Sequence, residues 1–164
     1  WVVGSVRCVE EIDYGSCRLL GFNASEIVRV SSDDLEFLDR ELSKPGVQYK
    51  FVFFHIPPAY FEEVAIGDED PRGFTWKASA FRALLAKHKV NEVYMGHIHG
   101  YASAVIDGVR YTLSAGAGAP LSDRLPEEAR IYHLLVVHVS PGGLSQELVH
   151  LVPGTLDWTR RTIY

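Results

Sequence analysis

Two histidines at the end of an apolar run are the feature that most constrains this chain. The run Val90–Met95 leads directly into Gly96-His97-Ile98-His99-Gly100. Such a run is typical of a buried strand, and glycines allow the backbone to turn sharply beside a ligand. Residues i and i+2 share a face of extended chain, and neutral imidazole is a common metal ligand. The loop therefore predicts a metal site in which both rings bind one ion or each binds its own. The alternative is a strand end with two solvated histidines.

A third histidine ends another apolar run. Val47–Phe54 is almost continuously apolar and stops at His55. This composition predicts a strand buried on both faces, and such strands carry functional residues at their C-terminal ends in α/β proteins. A strand, helix, strand order places the ends of parallel neighbouring strands at one sheet edge. His55 is therefore predicted to join His97 and His99 in the metal site.

Two helices are predicted beside these strands. Ser31 and Asp34 form a capping-box pattern at the start of the first helix, and Pro45-Gly46 ends it. Leucines recur at helical spacing between these signals, so we expect one face of the helix to lie on a sheet. The segment Ala78–His88 has a similar amphipathic pattern and predicts the second helix.

The segment Ala59–Thr75, before the second helix, is polar and longer than an ordinary connection. Long loops beside a site often cover it or contact substrate. We therefore expect this loop to approach a substrate through Tyr60, Arg72 or Trp76. Its acidic run Gly67-Asp68-Glu69-Asp70 is expected to be solvated.

Turn residues predict three hairpins. The turns lie at Asp13–Ser16, which follows a predicted strand Val6–Ile12, at Asp107-Gly108 and at Pro141–Gly143. The glycine-rich run Ser114–Pro120 lacks the lysine of a phosphate-binding P-loop, so we expect it to pack close to the site. Three later histidines are expected to be structural or exposed, not catalytic: His133, His138 and His150.

Length, charge and cysteine content bound the class of protein. The chain has 164 residues, enough for a core, and residues 1–164 are predicted to form a single domain. The net charge of −5 argues against reliance on a basic nucleic-acid-binding surface. Membrane association is not expected, because no apolar stretch is long enough to span a bilayer. The two cysteines, Cys8 and Cys17, form no disulfide framework and favour a cytoplasmic location.

Three stretches together point to a known family. Val52–Pro58 contains a His-x-Pro motif, Gly96–Gly100 a Gly-His-x-His motif, and Gly116–Pro120 follows them in the same order. The chain resembles the calcineurin-like metallophosphoesterases over nearly its whole length. The resemblance implies an α/β fold that is part of a four-layer α/β/β/α sandwich with two mixed sheets.

The resemblance also implies an activity and its cofactors. Family members are hydrolases that act on a phosphorylated substrate, a phosphomonoester or phosphodiester, through a water activated at a binuclear metal site. The cofactors would be two divalent or trivalent transition metal ions, Mn, Fe or Zn. Carried over by position, His55 and His97 would ligate one metal and His99 the other.

The chain departs from the family pattern before its first histidine motif. Family members begin with Asp-x-His, Gly-Asp-x-x-Asp and Gly-Asn-His motifs, and these are absent upstream of His55. The chain therefore resembles the C-terminal half of the domain, and its start at Trp1 favours missing upstream sequence. The catalytic acid would then lie in the N-terminal half, supplied by the same polypeptide or a complementary chain. The isolated chain would be inactive, and the alternative is a catalytically silent fragment that acts as a binding or assembly module.

Overall fold

Residues 10–22 and 30–164, which the computed structural model describes, form an α/β structure with two sheets. The first is a six-stranded mixed sheet of order β1-β2-β3-β4-β6-β5. Its strands are β1 (Glu10–Tyr14), β2 (Cys17–Gly21), β3 (Tyr49–Phe53), β4 (Glu92–Met95), β5 (Tyr101–Ile106) and β6 (Val109–Ser114). The second is an antiparallel sheet of β7 (His133–Ser140), β8 (Gly143–Leu151) and β9 (Trp158–Thr162).

The helices lie between these strands in the chain. They are α1 (Ser32–Ser43), α2 (Ala59–Phe61) and α3 (Ala78–Lys87). A π-helical turn, Glu62–Ile66, continues α2, and a 3-10 turn spans Glu127–Ala129. Within the described segments, no helix is long and apolar enough to cross a membrane.

The start of α1 confirms the predicted capping box. The Ser31 hydroxyl accepts a hydrogen bond from the Asp34 amide at 3.1 Å, and the Ser31 amide donates to the Asp34 carboxylate at 2.8 Å. These two bonds satisfy amides that the first helical turn leaves without partners. The helix can therefore begin at this point.

The helices cover one face of the six-stranded sheet. Leucines of α1 and apolar residues of α3 pack on side chains from the central strands, which forms the main hydrophobic core. Its fully buried members include Leu38, Leu42, Phe81, Leu85, Leu20, Val52 and Val93. Burial of such side chains is the main source of stability. The packing confirms the prediction that the apolar faces of both helices lie against the sheet.

The central strands β2, β3, β4 and β6 run parallel. In β3 and β4, Phe51 aligns with Glu92 and Phe53 with Tyr94. The C-terminal ends of these strands therefore lie at one edge of the sheet. This arrangement confirms the prediction that the loops after β3 and β4 are neighbours.

The opposite face of the sheet is only partly covered. Phe53 of β3 is 36 % exposed, so the prediction that this strand is buried on both faces was wrong at that residue. The reason is that β7 covers part of this face near Phe51, through Val137, and leaves the rest open.

Residues 59–75 were predicted to be a loop, but they contain α2 and the π-helical turn. The Tyr60 hydroxyl donates to the Tyr111 hydroxyl at 3.0 Å, and Tyr111 is fully buried. Tyr60 therefore packs on the core, and a substrate contact through Tyr60, Arg72 or Trp76 stays a prediction. The predicted hairpin turns join β1 to β2, β5 to β6 and β7 to β8, whereas the predicted start of the first strand, Val6, lies outside the described residues.

Candidate metal-binding site

His55 and His97 come together at the shared edge of β3 and β4. Their ring centroids are 5.3 Å apart, with the planes at 83°. The Gly96 amide donates to the His55 carbonyl at 2.9 Å, which fixes one loop against the other. A Cβ at Gly96 would lie 3.0 Å from the His55 ring. The absence of a side chain at residue 96 therefore lets the two loops approach.

His97 has an unusual backbone conformation. Its φ is +71°, in the left-handed region that costs a residue with a side chain about 1 kcal/mol or more. Strain of this kind persists where the surrounding structure fixes the chain, and it is common at functional sites. Here the strained residue carries one of the two paired imidazoles.

The surroundings of His97 favour its neutral form. Partial desolvation lowers the pKa of His97, and the positive charge of a protonated His55 lowers it further. Both effects disfavour a second proton on the ring. A neutral ring keeps a lone pair that can bind a metal ion.

His99 is oriented by a separate contact. Its Nδ1 lies 2.8 Å from the carbonyl oxygen of Pro120, so Nδ1 carries the proton and donates. This tautomer leaves Nε2 free as a ligand. A hydrogen bond from the other ring nitrogen to a backbone carbonyl commonly orients metal-binding histidines in this way. Pro120 belongs to the glycine-rich run, which confirms the expectation that this run packs near the site.

The described part of the chain provides an incomplete set of ligands. In residues 10–22 and 30–164, no group of three or more His, Cys, Asp or Glu side chains has the geometry to hold a metal ion. Two imidazoles suit Zn, Fe or Mn by their chemistry, but a zinc site takes four ligands. The paired rings of His55 and His97 therefore fit part of a metal site that needs further donors.

An ion-pair cluster that sequence reasoning missed borders His97. Glu62 is fully buried, and its Oε2 accepts from the Arg124 guanidinium at 2.6 Å and the Arg72 amide at 2.8 Å. Its Oε1 has no hydrogen-bond partner in the described segments. The charges of Glu62 and Arg124 both act on the His97 ring, one raising and one lowering its pKa. No local sequence pattern indicates this cluster, because its residues are far apart in the chain.

Asp68 completes the cluster. It was expected to lie in a solvated acidic loop, but it accepts hydrogen bonds from Nε and Nη2 of Arg124, at 3.1 and 2.5 Å. These bonds lower the pKa of Asp68, with a further contribution from the Asp70 amide. The loop that follows the π-helical turn is thus held against the loop that contains Arg124.

The later histidines lie in the second sheet, as expected for structural or exposed residues. His133 is buried, and Nδ1 donates to the Ile131 carbonyl at 3.0 Å while Nε2 accepts from the Ser114 hydroxyl at 3.0 Å. His138 is exposed and lies 3.4 Å from Glu147. His133 therefore links β6 to β7.

The partly covered sheet face forms an apolar groove of about 600 Å³, which we call the sheet groove. It runs between the six-stranded sheet and β7. Its lining includes Leu19, Phe51, Phe53, Tyr94, Leu134 and Val137. An exposed apolar surface of this kind marks an interaction site in many proteins.

Solved structures identify the fold. The chain is similar to the purple acid phosphatase PPD1 from yellow lupin (Lupinus luteus) seeds, with a TM-score of 0.64 and 17% identity over 94% of this chain. It is also similar to GAP50, the anchor in the inner membrane complex of Plasmodium, with a TM-score of 0.62 and 12% identity over 95% of this chain. Vps29 from Entamoeba histolytica, complexed with zinc, aligns with a TM-score of 0.39 and 13% identity, covering 89% of this chain and 99% of its own.

The similarity to the lupin and Plasmodium proteins defines the class of fold and its extent. The chain has the mixed α/β architecture of the metallophosphoesterase fold, to which the lupin phosphatase belongs. It spans 32% of the length of the lupin protein and 53% of that of the Plasmodium protein. No protein-family profile and no curated protein sequence matches it.

Proposed function

We propose that this chain is part of a metal-dependent phosphoesterase that hydrolyses a phosphomonoester or phosphodiester. The observation that carries the proposal is the pairing of His55 and His97, 5.3 Å apart, at the ends of two parallel neighbouring strands. In α/β proteins such strand ends are where ligands bind. The shared fold with a purple acid phosphatase supports the assignment.

The histidines act as metal ligands in this proposal. His55 and His97 present neighbouring imidazoles, and His99 presents Nε2 because its Nδ1 is held by the Pro120 carbonyl. Two ions of Mn, Fe or Zn, when bound, supply Lewis-acid activation of water and of phosphoryl oxygens. The role of this chain is to present the three imidazoles as ligands, with His55 and His97 side by side and His99 oriented by Pro120.

The site is completed by residues outside this chain. We propose that these come from the N-terminal half of the same domain, in one polypeptide or as a complementary chain, together with the catalytic acid. Two observations support this: the chain spans only 32% and 53% of its structural neighbours, and the described residues hold too few ligands. Residues 1–164 would then form the C-terminal half of one domain.

The sheet groove is the surface on which that half would pack. Phe53 is 36 % and Leu134 48 % exposed at the groove, and apolar surface of this kind is stabilised by a matching apolar face. Further strands in the second sheet are the natural cover, because two sheets pack face to face through apolar side chains. Covering the groove would complete the sandwich of two sheets that the family resemblance implies.

The alternative is a catalytically silent binding or assembly module. The exposed sheet groove favours this alternative, since it can bind a partner without any chemistry. A structural neighbour, the Plasmodium protein, is described as an anchor in a membrane complex. The fold thus also supports assembly roles.

A cytoplasmic location without nucleic-acid or membrane partners is part of the proposal. It is supported by the presence of only two cysteines and by the net charge of −5. Cytoplasmic proteins are poor in disulfides, and a net negative charge disfavours binding to nucleic acid.

The test is hydrolysis of p-nitrophenyl phosphate and bis-p-nitrophenyl phosphate by the complete protein, assayed with Mn, Fe or Zn. His55→Ala and His97→Ala are each expected to lower kcat/KM by at least about 100-fold, because each removes a metal ligand. His138→Ala is the matched control, since His138 is exposed in the second sheet. Undiminished hydrolysis in either site variant, or none in the metal-loaded wild type, would reject the proposal.

A further inference from the structure

The loop that carries Arg124 is fixed beside the histidine loop. The Ser122 amide donates to the His99 carbonyl at 2.8 Å. Leu125 packs so closely on Gly100 that a Cβ at residue 100 would lie 2.3 Å from Leu125 Cδ1. The backbone is therefore held on both sides of Arg124, which limits where its side chain can reach.

The guanidinium of Arg124 is also fixed, but it is not saturated. Nε and Nη2 donate to Asp68, and Nη2 also donates to Glu62. Nη1 has no hydrogen-bond partner in the part of the chain that the structure describes, and 22% of the side chain is exposed. The group is thus an oriented cation with two N–H donors left for a ligand.

The fixed cluster lies next to the metal-ligand histidines. The segment that carries Glu62 follows His55 along the chain, and the loop that carries Arg124 contacts His99. Arg124 therefore borders the space where a phosphorylated substrate must sit if the proposed function is correct.

We propose that Arg124 binds the phosphoryl group of the substrate through Nη1 and so contributes to substrate affinity. This inference rests on the proposed function. A guanidinium is the side chain best matched to phosphate oxygens, because its planar N–H groups form directed, charge-assisted bonds. The two carboxylates reduce its net charge while holding it in place, so its contribution is mainly directional.

The competing explanation is that Arg124 only ties the Asp68 loop to its own loop. The two explanations differ at Asp68. If Arg124 is only a structural tie, Asp68→Asn weakens it and damages the site. If Arg124 binds phosphate, Asp68→Asn removes an opposing negative charge while Glu62 still holds the guanidinium, so phosphate binds equally well or more tightly.

The experiment is calorimetric titration of the complete protein, as purified, with inorganic phosphate. Arg124→Gln is expected to raise the Kd for phosphate about 10-fold or more, because it removes a charge-assisted hydrogen bond to the phosphate. Arg124→Lys should restore part of that loss, because it keeps the charge but not the fork of donors. Asp68→Asn should leave the Kd unchanged or lower it.

The matched control is Arg82→Gln. Arg82 also pairs with a carboxylate, donating two hydrogen bonds to Asp107 at 2.6 and 2.8 Å, but it lies on α3. Its substitution should leave the Kd for phosphate unchanged, which separates the effect of position from that of lost charge.

Three results would overturn the inference: no phosphate binding by the wild type, an unchanged Kd in Arg124→Gln, or equal weakening in Asp68→Asn and Arg124→Gln. Failure of the proposed function gives a different result. If Arg124→Gln loses phosphate but the wild type neither hydrolyses phosphoesters nor retains metal, Arg124 is an anion-binding residue and the phosphoesterase proposal is rejected.

Discussion

The imidazole of His97 stands edge-on to that of His55, with 5.3 Å between the ring centroids and 83° between the planes. The parallel register of β3 and β4 brings the two loops together, and a hydrogen bond from the Gly96 amide to the His55 carbonyl joins them. The pair is therefore a product of strand order and not of sequence proximity. It is the centre of the proposed metal site.

The strained backbone at His97 gives a prediction about stability. Because φ is +71°, glycine should fit this position better than alanine, by about 1 kcal/mol in the free energy of unfolding. We expect His97→Gly to unfold at a higher urea concentration than His97→Ala. The control pair is His55→Gly and His55→Ala, because His55 is not in the left-handed region; there alanine should equal or exceed glycine. Equal stability of the two His97 variants would show that the strain is absent.

Gly73 gives a second prediction, because it sits against the loop that carries His55. A Cβ at this residue would lie 2.4 Å from the Pro57 carbonyl oxygen and 2.7 Å from the Ala59 amide nitrogen. Both are backbone atoms, so Gly73→Ala should move the loop and lower the free energy of unfolding by about 1–3 kcal/mol. Gly21→Ala is the control, since a Cβ at Gly21 meets nothing within 4 Å. Equal melting temperatures for the two variants would contradict the close packing seen here.

Buried Glu92 gives a prediction about pH. Burial raises the pKa of Glu92 above its usual 4.5, although hydrogen bonds from the hydroxyls of Thr112 and Tyr164 oppose the rise. The carboxyl loses its proton at a lower pH in the unfolded chain than in the folded one. Its contribution to stability therefore falls as pH rises from about 4.5 toward the folded pKa. Glu92→Gln cannot lose this proton. Its free energy of unfolding relative to wild type should therefore increase with pH.

Urea unfolding of both proteins between pH 4 and pH 7 checks the Glu92 prediction. Glu128→Gln, at an exposed position in the 3-10 turn, serves as the control and should follow the wild-type profile. Parallel pH profiles for Glu92→Gln and wild type would mean that the folded structure does not perturb this carboxyl.

Short sequence patterns correctly predicted the elements whose structure depends on contacts between residues close together in the chain. The capping box at Ser31 and the Asp107-Gly108 turn determine their structures through contacts within a few residues. The alternation of strands and helices also predicted that the loops with His55 and His97 are neighbours, because parallel strands align their ends. The association of His55, His97 and His99 with a metal remains a prediction.

The parts of the structure that the sequence did not predict depend on contacts between residues that are far apart in the chain. The ion pair of Glu62 with Arg124 joins residues 62 positions apart, so neither residue stands out in its own segment. Strand β9 was not predicted, because all five of its residues are exposed and an apolar pattern is therefore lacking. β9 pairs with β8 through backbone hydrogen bonds, which do not depend on the side chains, so the sequence does not indicate this pairing.

Metal content of the complete protein is the most direct test of the central claim. We expect elemental analysis of the purified wild type to give close to two transition metal ions per protein, and of the His55→Ala/His97→Ala double variant to give one or none. The described imidazole pair would then be part of a binuclear centre. Wild-type protein that binds no transition metal after incubation with Mn, Fe or Zn, or a double variant that retains the full content, would contradict the account.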